Sequence, residues 1–458
     1  MTENIKKLID EISLLINNND LELAKTKTIK IISSNPSTDI FYNILGIIYL
    51  KLKIYPDAIE NFKKAIKNNN KFISAIINLG IAYQEVNKIP QAIEVYNKAI
   101  HINPSMYEVH NDIGLMYRKE NNYELAITHF KKSLEIKNDY DKGYFNLATT
   151  YKKLNDLDQS LIYFNKTIEI NPNNNGAYFE IAEVYRKQKK FDEAFKFYDL
   201  SKNEKTLYKT LQCCFEEGSK EKYLKQLKNI IKIDPNDRRI ASLASFAAQQ
   251  LNIENIYPFC PNPINFIYKS TIDNHIKNSN SFINNLLTEL SDQDFNWEPK
   301  GRTTIKGFTT KDLSCSELPN IKRLENIIFK ELSNYYDHHK DENINFIINK
   351  PKKYKFVCWS NRLKKEGYNM PHMHPSGWVS GVFYLKIPSK IKGDEAGIQF
   401  HLDGDDFISN SKEKLPIKKI SPNIGDIVLF PSSLFHSTVP FSSNEERVCI
   451  AFDICNAE

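Results

Sequence analysis

Residues 371–385 read P-H-M-H-P-S-G-W-V-S-G-V-F-Y-L. Two histidines, His372 and His374, stand one residue apart at the head of an apolar, aromatic run. Alternate residues of an extended chain point to the same side, so the two imidazoles can project together from the start of a strand. A third histidine, His436, follows the apolar run 427–430 in F-P-S-S-L-F-H-S. Farther on, Arg447 opens the last apolar run, R-V-C-I-A-F-D-I. Two adjacent imidazoles, a third from a distant strand and an arginine beyond it are suited to holding a metal ion together with an organic acid. Neutral imidazole ligates Fe, Zn, Cu and Ni alike, so the histidines alone do not choose the metal. Arg447 points to the acid, because a buried guanidinium takes a carboxylate in bidentate fashion. The competing reading for Arg447 is a salt bridge to Glu445, Glu446 or Asp453.

Around this stretch the chain reads as strands. Residues 354–363, 378–387, 397–402, 427–430 and 448–454 are short runs rich in Val, Ile, Phe, Tyr and Trp, broken by Gly, Pro, Asn and Asp. Such a series predicts a double-sheet jelly roll of the cupin kind. Residues 274–290 and 318–337 have helical spacing, the second through Leu324, Ile327, Ile328 and Leu332, and are expected to brace one side of the sheet.

The first half has a different period. The string L-G-x-x-Y, or its Ile and Ala variants, recurs at Leu45, Leu79, Ile113, Leu147 and Ile181, a constant step of 34 residues. A second set keeps phase with it: Ala58, Ala92, Ala126, Ser160 and Ala194, then Phe62, Tyr96, Phe130, Phe164 and Tyr198. Self-similarity at this period marks a solenoid of stacked helical hairpins. This pattern resembles the tetratricopeptide repeat, with two antiparallel helices per unit and small residues at the close helix contact. A degenerate unit precedes the five clear ones and another follows, giving about seven units and a final helix near 240–251. The expected organisation is a repeat array over residues 1–254, a proline-rich connector at 255–265 and a β domain over 266–458. The concave face of such an array binds extended peptides or partner proteins. His101, His110 and His129 are scattered through it and read as packing or surface residues.

Composition narrows the function classes. The 458 residues carry a net charge of +6, small for the length, which argues against non-specific nucleic-acid binding as the main activity. No apolar run approaches the roughly 20 residues of a membrane span, and the first twelve residues lack the apolar core of a signal peptide. Seven cysteines without a C-x-x-C pair fit reduced thiols and a cytoplasmic protein.

Three blocks, N-R-L-K-K-E-G-Y-N-M-P-H-M-H-P-S-G-W-V-S-G-V-F-Y-L, G-D-I-V-L-F-P-S-S-L-F-H-S and E-R-V-C-I-A-F-D, resemble the 2-oxoglutarate/Fe(II) oxygenase family often found behind tetratricopeptide repeats. The likeness runs from about Asn296 to Asp453 and is carried by those blocks. It implies a double-stranded β-helix, Fe(II) on His372, His374 and His436, 2-oxoglutarate as co-substrate with its far carboxylate on Arg447, and O₂ as oxidant. It further implies decarboxylation of the keto acid coupled to hydroxylation of a C–H bond. The usual ligand set of such enzymes is two histidines and a carboxylate, and His374 stands where that carboxylate would be. An oxygen from Asp394 or Asp403, or Ser376 in the acid's place, are the alternatives. The family has R-x-S at its last strand, whereas this chain has Cys449 in the third position. Asn361, Ser380 and Tyr384 are candidates for hydrogen bonds to the co-substrate. Trp359 and Trp378 read as packing residues, with Trp378 a candidate for the substrate mouth. Three rivals remain open: an adaptor whose barrel is inactive, a three-histidine dioxygenase that does not use the keto acid, and a hydroxylase of small molecules or nucleic acid that does not depend on the array.

Overall fold

Each 34-residue period closes as a helical hairpin. In the computed structural model, which describes residues 3–299, 301–404, 407 and 415–457, the first hairpin pairs Glu3–Asn17 with Leu21–Ser34 and the second pairs Asp39–Lys51 with Tyr55–Asn68. Four more follow in step, ending at Phe191–Ser201. Every hairpin turns the same way. Asn19, Lys53, Asn87, Asn121, Asn155 and Lys189 have φ between 58 and 63°, the left-handed conformation that ends a helix. The next N–H then reaches back into the helix, as from Ile54 to the Tyr49 carbonyl at 2.9 Å and from Lys88 to that of Tyr83 at 2.8 Å. Asparagine tolerates positive φ better than most residues, which explains its place at four of these six turns.

The small residues of the repeat act at the contact inside each hairpin. A β-carbon on Gly46 would lie 2.5 Å from the Phe62 ring, and one on Gly114 would lie 2.6 Å from that of Phe130. Glycine therefore lets the aromatic of the second helix reach the backbone of the first. Phe62, Tyr96, Phe130, Phe164 and Tyr198 are all fully buried, and each buried ring contributes roughly 1.5–3 kcal/mol.

The chain divides into two compact units, Met1–Asn203 and Glu204–Glu458. The hairpin Thr206–Glu217 and Lys220–Ile233, and the helix Arg238–Leu251, fall in the second. That last helix is buried continuously from Ile240 to Ala248. Its Phe246 packs on Phe215 and on Phe407, at 5.3 and 4.9 Å between ring centroids. Arg238 Nε donates to the Pro375 carbonyl at 3.0 Å, one residue from His374. The proline-rich stretch is packed too, with Tyr257, Phe259 and Cys260 buried.

Ten strands follow among the described residues: β1 (Tyr268–Thr271), β2 (Phe295–Trp297), β3 (Thr304–Thr310), β4 (Tyr354–Asn369), β5 (Val379–Lys386), β6 (Ile398–His401), β7 (Lys418–Ile420), β8 (Asp426–Pro431), β9 (Phe435–Thr438) and β10 (Arg447–Asn456). They form two antiparallel sheets, a large one in the order β1-β8-β5-β10-β4-β3-β2 and a small one in the order β7-β6-β9. The fold is thus an α-helical solenoid followed by a β sandwich with helices beside it. The helix Pro319–His338 buries Leu324, Ile328 and Leu332, and its Phe329 meets Phe356 of β4, which in turn meets Phe452 of β10. The other face of β4, β5 and β10 looks across to the small sheet, where Val382, Tyr384, Phe430 and Cys449 pack with Ile398 and Phe400.

Candidate metal centre

Strand β10 sets the site because its residues alternate cleanly. Val448, Ile450, Phe452 and Ile454 are buried and lie on one face. Arg447, Cys449, Ala451 and Asp453 lie on the other and line a cavity of about 390 Å³ between the sheets. β4 contributes Val357, Trp359 and Asn361 to the same cavity, and β5 contributes Ser380 and Val382. A period of two, read from Arg447, therefore selects one wall of the site.

The histidine pair lies ahead of β5 rather than on it. His372 forms an isolated antiparallel bridge with His436 on β9, and the His374 N–H donates to the Ser432 carbonyl at 3.0 Å. These backbone bonds bring the three rings together, with centroids 5.0 Å apart for His372 and His374, 4.3 Å for His372 and His436, and 5.1 Å for His374 and His436. One nitrogen of each ring lies within 4.8 Å of the others.

Each ring also has its Nδ1 occupied. His372 Nδ1–H donates to the Met370 carbonyl at 2.7 Å, and His436 Nδ1–H to that of Leu434 at 3.3 Å. His374 Nδ1–H donates to both carboxylate oxygens of Asp453, at 2.7 and 2.8 Å. A hydrogen bond at one ring nitrogen fixes the tautomer and leaves the lone pair on the other. That leaves the three Nε2 atoms as the candidate ligand atoms. Burial, and then the neighbouring His374, push His372 down to about 3. Burial likewise pushes His436 well below the ordinary imidazole value. The donor set fits a divalent transition metal.

The other candidates are dispersed. Asp403 accepts from His401 Nδ1 at 3.1 Å, Asp394 pairs with Lys419 at 3.2 Å, and neither lines the cavity. Ser376 is exposed at its rim. Ser380 donates to Asp453 at 2.6 Å, which places it behind His374. Asn361 accepts from Thr309 at 2.8 Å, and Thr309 bonds Thr304 at 3.0 Å. Trp378 is no part of the mouth: its indole N–H donates to the Phe346 carbonyl at 2.9 Å, and its ring packs on Phe259. Trp359 lines the cavity instead, stacked 5.5 Å from the His374 ring with the Arg302 guanidinium 5.7 Å from its own centroid.

Arg447 is 2% exposed. Its Nε donates to the Ala396 carbonyl at 2.8 Å, and Nη1 to Cys449 Sγ at 3.3 Å. Its guanidinium carbon lies 5.0 Å from the centroid of the buried Tyr384 ring. The salt bridge that competed for it is not formed. Glu445 is engaged by Ser389, Glu446 by Lys364, and Asp453 by His374. Asp453 is also out of range, because six residues of strand separate it from Arg447 by about 20 Å. A buried cation thus faces a cavity with no carboxylate of the described chain beside it.

Comparison with known proteins finds two sets of family matches. Residues 357–453 match the family described as "Putative 2OG-Fe(II) oxygenase". Tetratricopeptide-repeat families match residues 73–106, 114–155, 142–174 and 176–202. The chain therefore carries stretches similar to tetratricopeptide repeats ahead of a stretch similar to that oxygenase family. No curated protein matches it. Similar solved structures include MamA, with 23% identity over 35% of this chain and 93% of that one and a TM-score of 0.33. Another is the Pseudomonas aeruginosa pilF protein, with 19% identity, 45% and 97% coverage and a TM-score of 0.37. A third is the C-terminal part of a TPR repeat-containing protein from Cytophaga hutchinsonii, with 18% identity, 50% and 97% coverage and a TM-score of 0.45.

Proposed function

We propose that the sandwich is a 2-oxoglutarate- and Fe(II)-dependent dioxygenase of the jelly-roll class, and that the repeat array binds the protein or peptide it acts on. Arg447 carries the reading. A buried guanidinium without an acidic partner is costly unless a ligand supplies the anion, and this one shares its cavity with three converging imidazoles. Nε2 of His372, His374 and His436 would hold the iron. When bound, iron and the keto acid supply the reductive activation of O₂, releasing succinate and CO₂ as a C–H bond is hydroxylated.

The chain's own residues bind, orient and exclude water. Arg447 takes the far carboxylate of the diacid. Its Nε bond to Ala396 and the Tyr384 ring hold the guanidinium fork in place. Cys449 occupies the position where the family has a serine, so thiol replaces hydroxyl beside the fork. Val382, Ile398 and Phe430 line the cavity with apolar surface, which keeps the dielectric low and the ion pair strong. Asn361 is the amide nearest the role of a hydrogen-bond donor to the diacid. Trp359 and Arg302 stand at the mouth, an aromatic and a cation for a substrate to rest on. No side-chain base is required, in keeping with a cavity whose lining acids among the described residues are Asp312 and Asp453.

No helix among the described residues is long and apolar enough to cross a membrane. No disulfide joins the described cysteines, which supports a reducing, cytoplasmic setting.

Incubation of the full chain with Fe(II), ascorbate and 2-oxoglutarate in air tests the proposal. Succinate should accumulate, and His436→Ala should abolish it. Iron-loaded wild type that forms no succinate would leave the chain a helical adaptor, or a three-histidine oxygenase of another kind.

A further inference from the structure

Three imidazoles leave a divalent metal with one more positive charge than two imidazoles and a carboxylate. The missing charge lies one residue back. Asp453 accepts the His374 Nδ1–H with both oxygens, at 2.7 and 2.8 Å, and takes a third bond from Ser380 Oγ at 2.6 Å. Its side chain is 13% exposed and that of His374 is 11% exposed. Asp453 of β10 sits directly opposite Ser380 of β5 in the strand register. The turn that carries His374 passes close beside it: a β-carbon on Gly377 would lie 3.3 Å from Asp453 Oδ1. Among the described residues, His374 is the ring of the three that meets a carboxylate. His372 and His436 meet backbone carbonyls.

We infer that Asp453 is a positioning residue that supplies the metal's missing negative charge through His374, so that the facial carboxylate of the usual set is displaced by one imidazole. The inference rests on the three-histidine reading above. Charge balance favours it. A divalent metal, Arg447 and the doubly negative keto acid sum to +1 in the cavity; Arg302 and Asp312, which also line it, cancel, and Asp453 brings the sum to zero. Burying an uncompensated charge is expensive. A carboxylate behind a ligating imidazole also fixes its tautomer and raises its basicity. The same aspartate would be a poor direct ligand here, because both its oxygens are already turned to His374 and Ser380.

The test uses Co(II) alone as probe on the full chain, with no turnover required. Asp453→Asn keeps the shape and one acceptor for Nδ1–H but removes the charge. It should weaken Co(II) binding by about ten- to a hundredfold and shift the Co(II) ligand-field absorption. Ser380→Ala, which keeps the charge, should change affinity by less than about threefold, on the order of one ordinary hydrogen bond or below. Asp453→Asn binding Co(II) as tightly as wild type, with an unchanged spectrum, overturns the inference. If Asp453→Asn does not fold, histidine-selective ¹⁵N NMR of Zn(II)-loaded wild type decides. One Nδ1–H should lie well downfield of the other two, as a bond to carboxylate demands, and three equivalent signals would overturn the inference. His436→Ala separates this from the underlying reading. If that variant holds Co(II) like wild type, the three-histidine centre itself fails. If it loses the metal while Asp453→Asn does not, only the role of Asp453 fails.

Discussion

His372 and His436 exchange both backbone hydrogen bonds, His372 N–H to the His436 carbonyl at 3.1 Å and His436 N–H to that of His372 at 2.9 Å. The bridge closes the separation between the two motifs without using either side chain. Removing an imidazole should therefore leave the backbone in place. His436→Ala without metal should unfold within a few degrees of wild type, because the ring faces a cavity that already exists. Its affinity for Fe(II) or Co(II) should fall by about two orders of magnitude or more, a larger loss than for supporting residues. Calorimetry and metal titration on the same preparation check both halves.

Arg447 gives the second prediction, and it runs against the usual expectation for a buried residue. A buried ion without a partner detracts from stability, and an apolar residue of similar volume is often neutral or stabilising in its place. Arg447→Met should leave the melting temperature of the co-substrate-free protein unchanged or raised. It should weaken 2-oxoglutarate binding by roughly a hundredfold, the equivalent of about 3 kcal/mol for lost charge-assisted bonds. A destabilised variant that still binds 2-oxoglutarate normally would mean that Arg447 is structural.

The repeat array allows a cleaner test of packing. Gly80 and Ala148 hold equivalent positions 68 residues, or two periods, apart. Gly80→Ala would drive a methyl into the Tyr96 ring, and overpacking of this kind costs about 1–3 kcal/mol. Ala148→Gly only loosens a helix, at about 1 kcal/mol. Chemical denaturation should rank Gly80→Ala as the more damaging. Equal or reversed losses would show that the hairpins relax to admit the methyl.

Much of this molecule was legible because its periods are strict. A 34-residue step needs only Leu45, Leu79 and their successors in register, and the reason for glycine at 46, 80 and 114 is a ring in the same unit. The last apolar run is equally readable: counting by twos from Arg447 reaches Cys449 and also Asp453, although in the sequence Asp453 reads only as an ion-pair partner for Arg447. Other parts carried no such mark. β3 reads T-I-K-G-F-T-T, with too many polar residues to announce a strand, yet it supplies Thr304 and Thr309 to the cavity. The histidine pair was expected on a strand, but Pro371 and the P-S-G turn hold it in a connection pinned by two backbone bonds. Trp359 and Trp378 are alike in sequence, and only the pleat of β4 assigns Trp359 to the mouth. The helix 238–251 reads as the end of the array, whereas its small side chains let it pack within the second unit.

His129 gives a pH dependence within the array. Burial, and then the adjacent His110, lower it to about 4, against about 6.5 in an unfolded chain. The unfolded state therefore takes up the proton first as the pH falls. Stability from keeping this ring neutral is complete above 6.5 and is lost between about 6.5 and 4. The difference in melting temperature between pH 7.5 and 5.0 should be smaller in His129→Gln than in wild type. An identical difference would mean that His129 remains solvated in the fold.

The most direct measurement of the central claim is anaerobic binding of 2-oxoglutarate to the Fe(II)-loaded chain, followed by calorimetry and by the visible charge-transfer band that forms when a keto acid chelates Fe(II). The account predicts one 2-oxoglutarate per chain, a band that requires iron and is absent in His436→Ala, and binding weakened roughly a hundredfold in Arg447→Met. Iron that binds without producing the band, or 2-oxoglutarate that binds equally well without iron and without the Arg447 guanidinium, would contradict it.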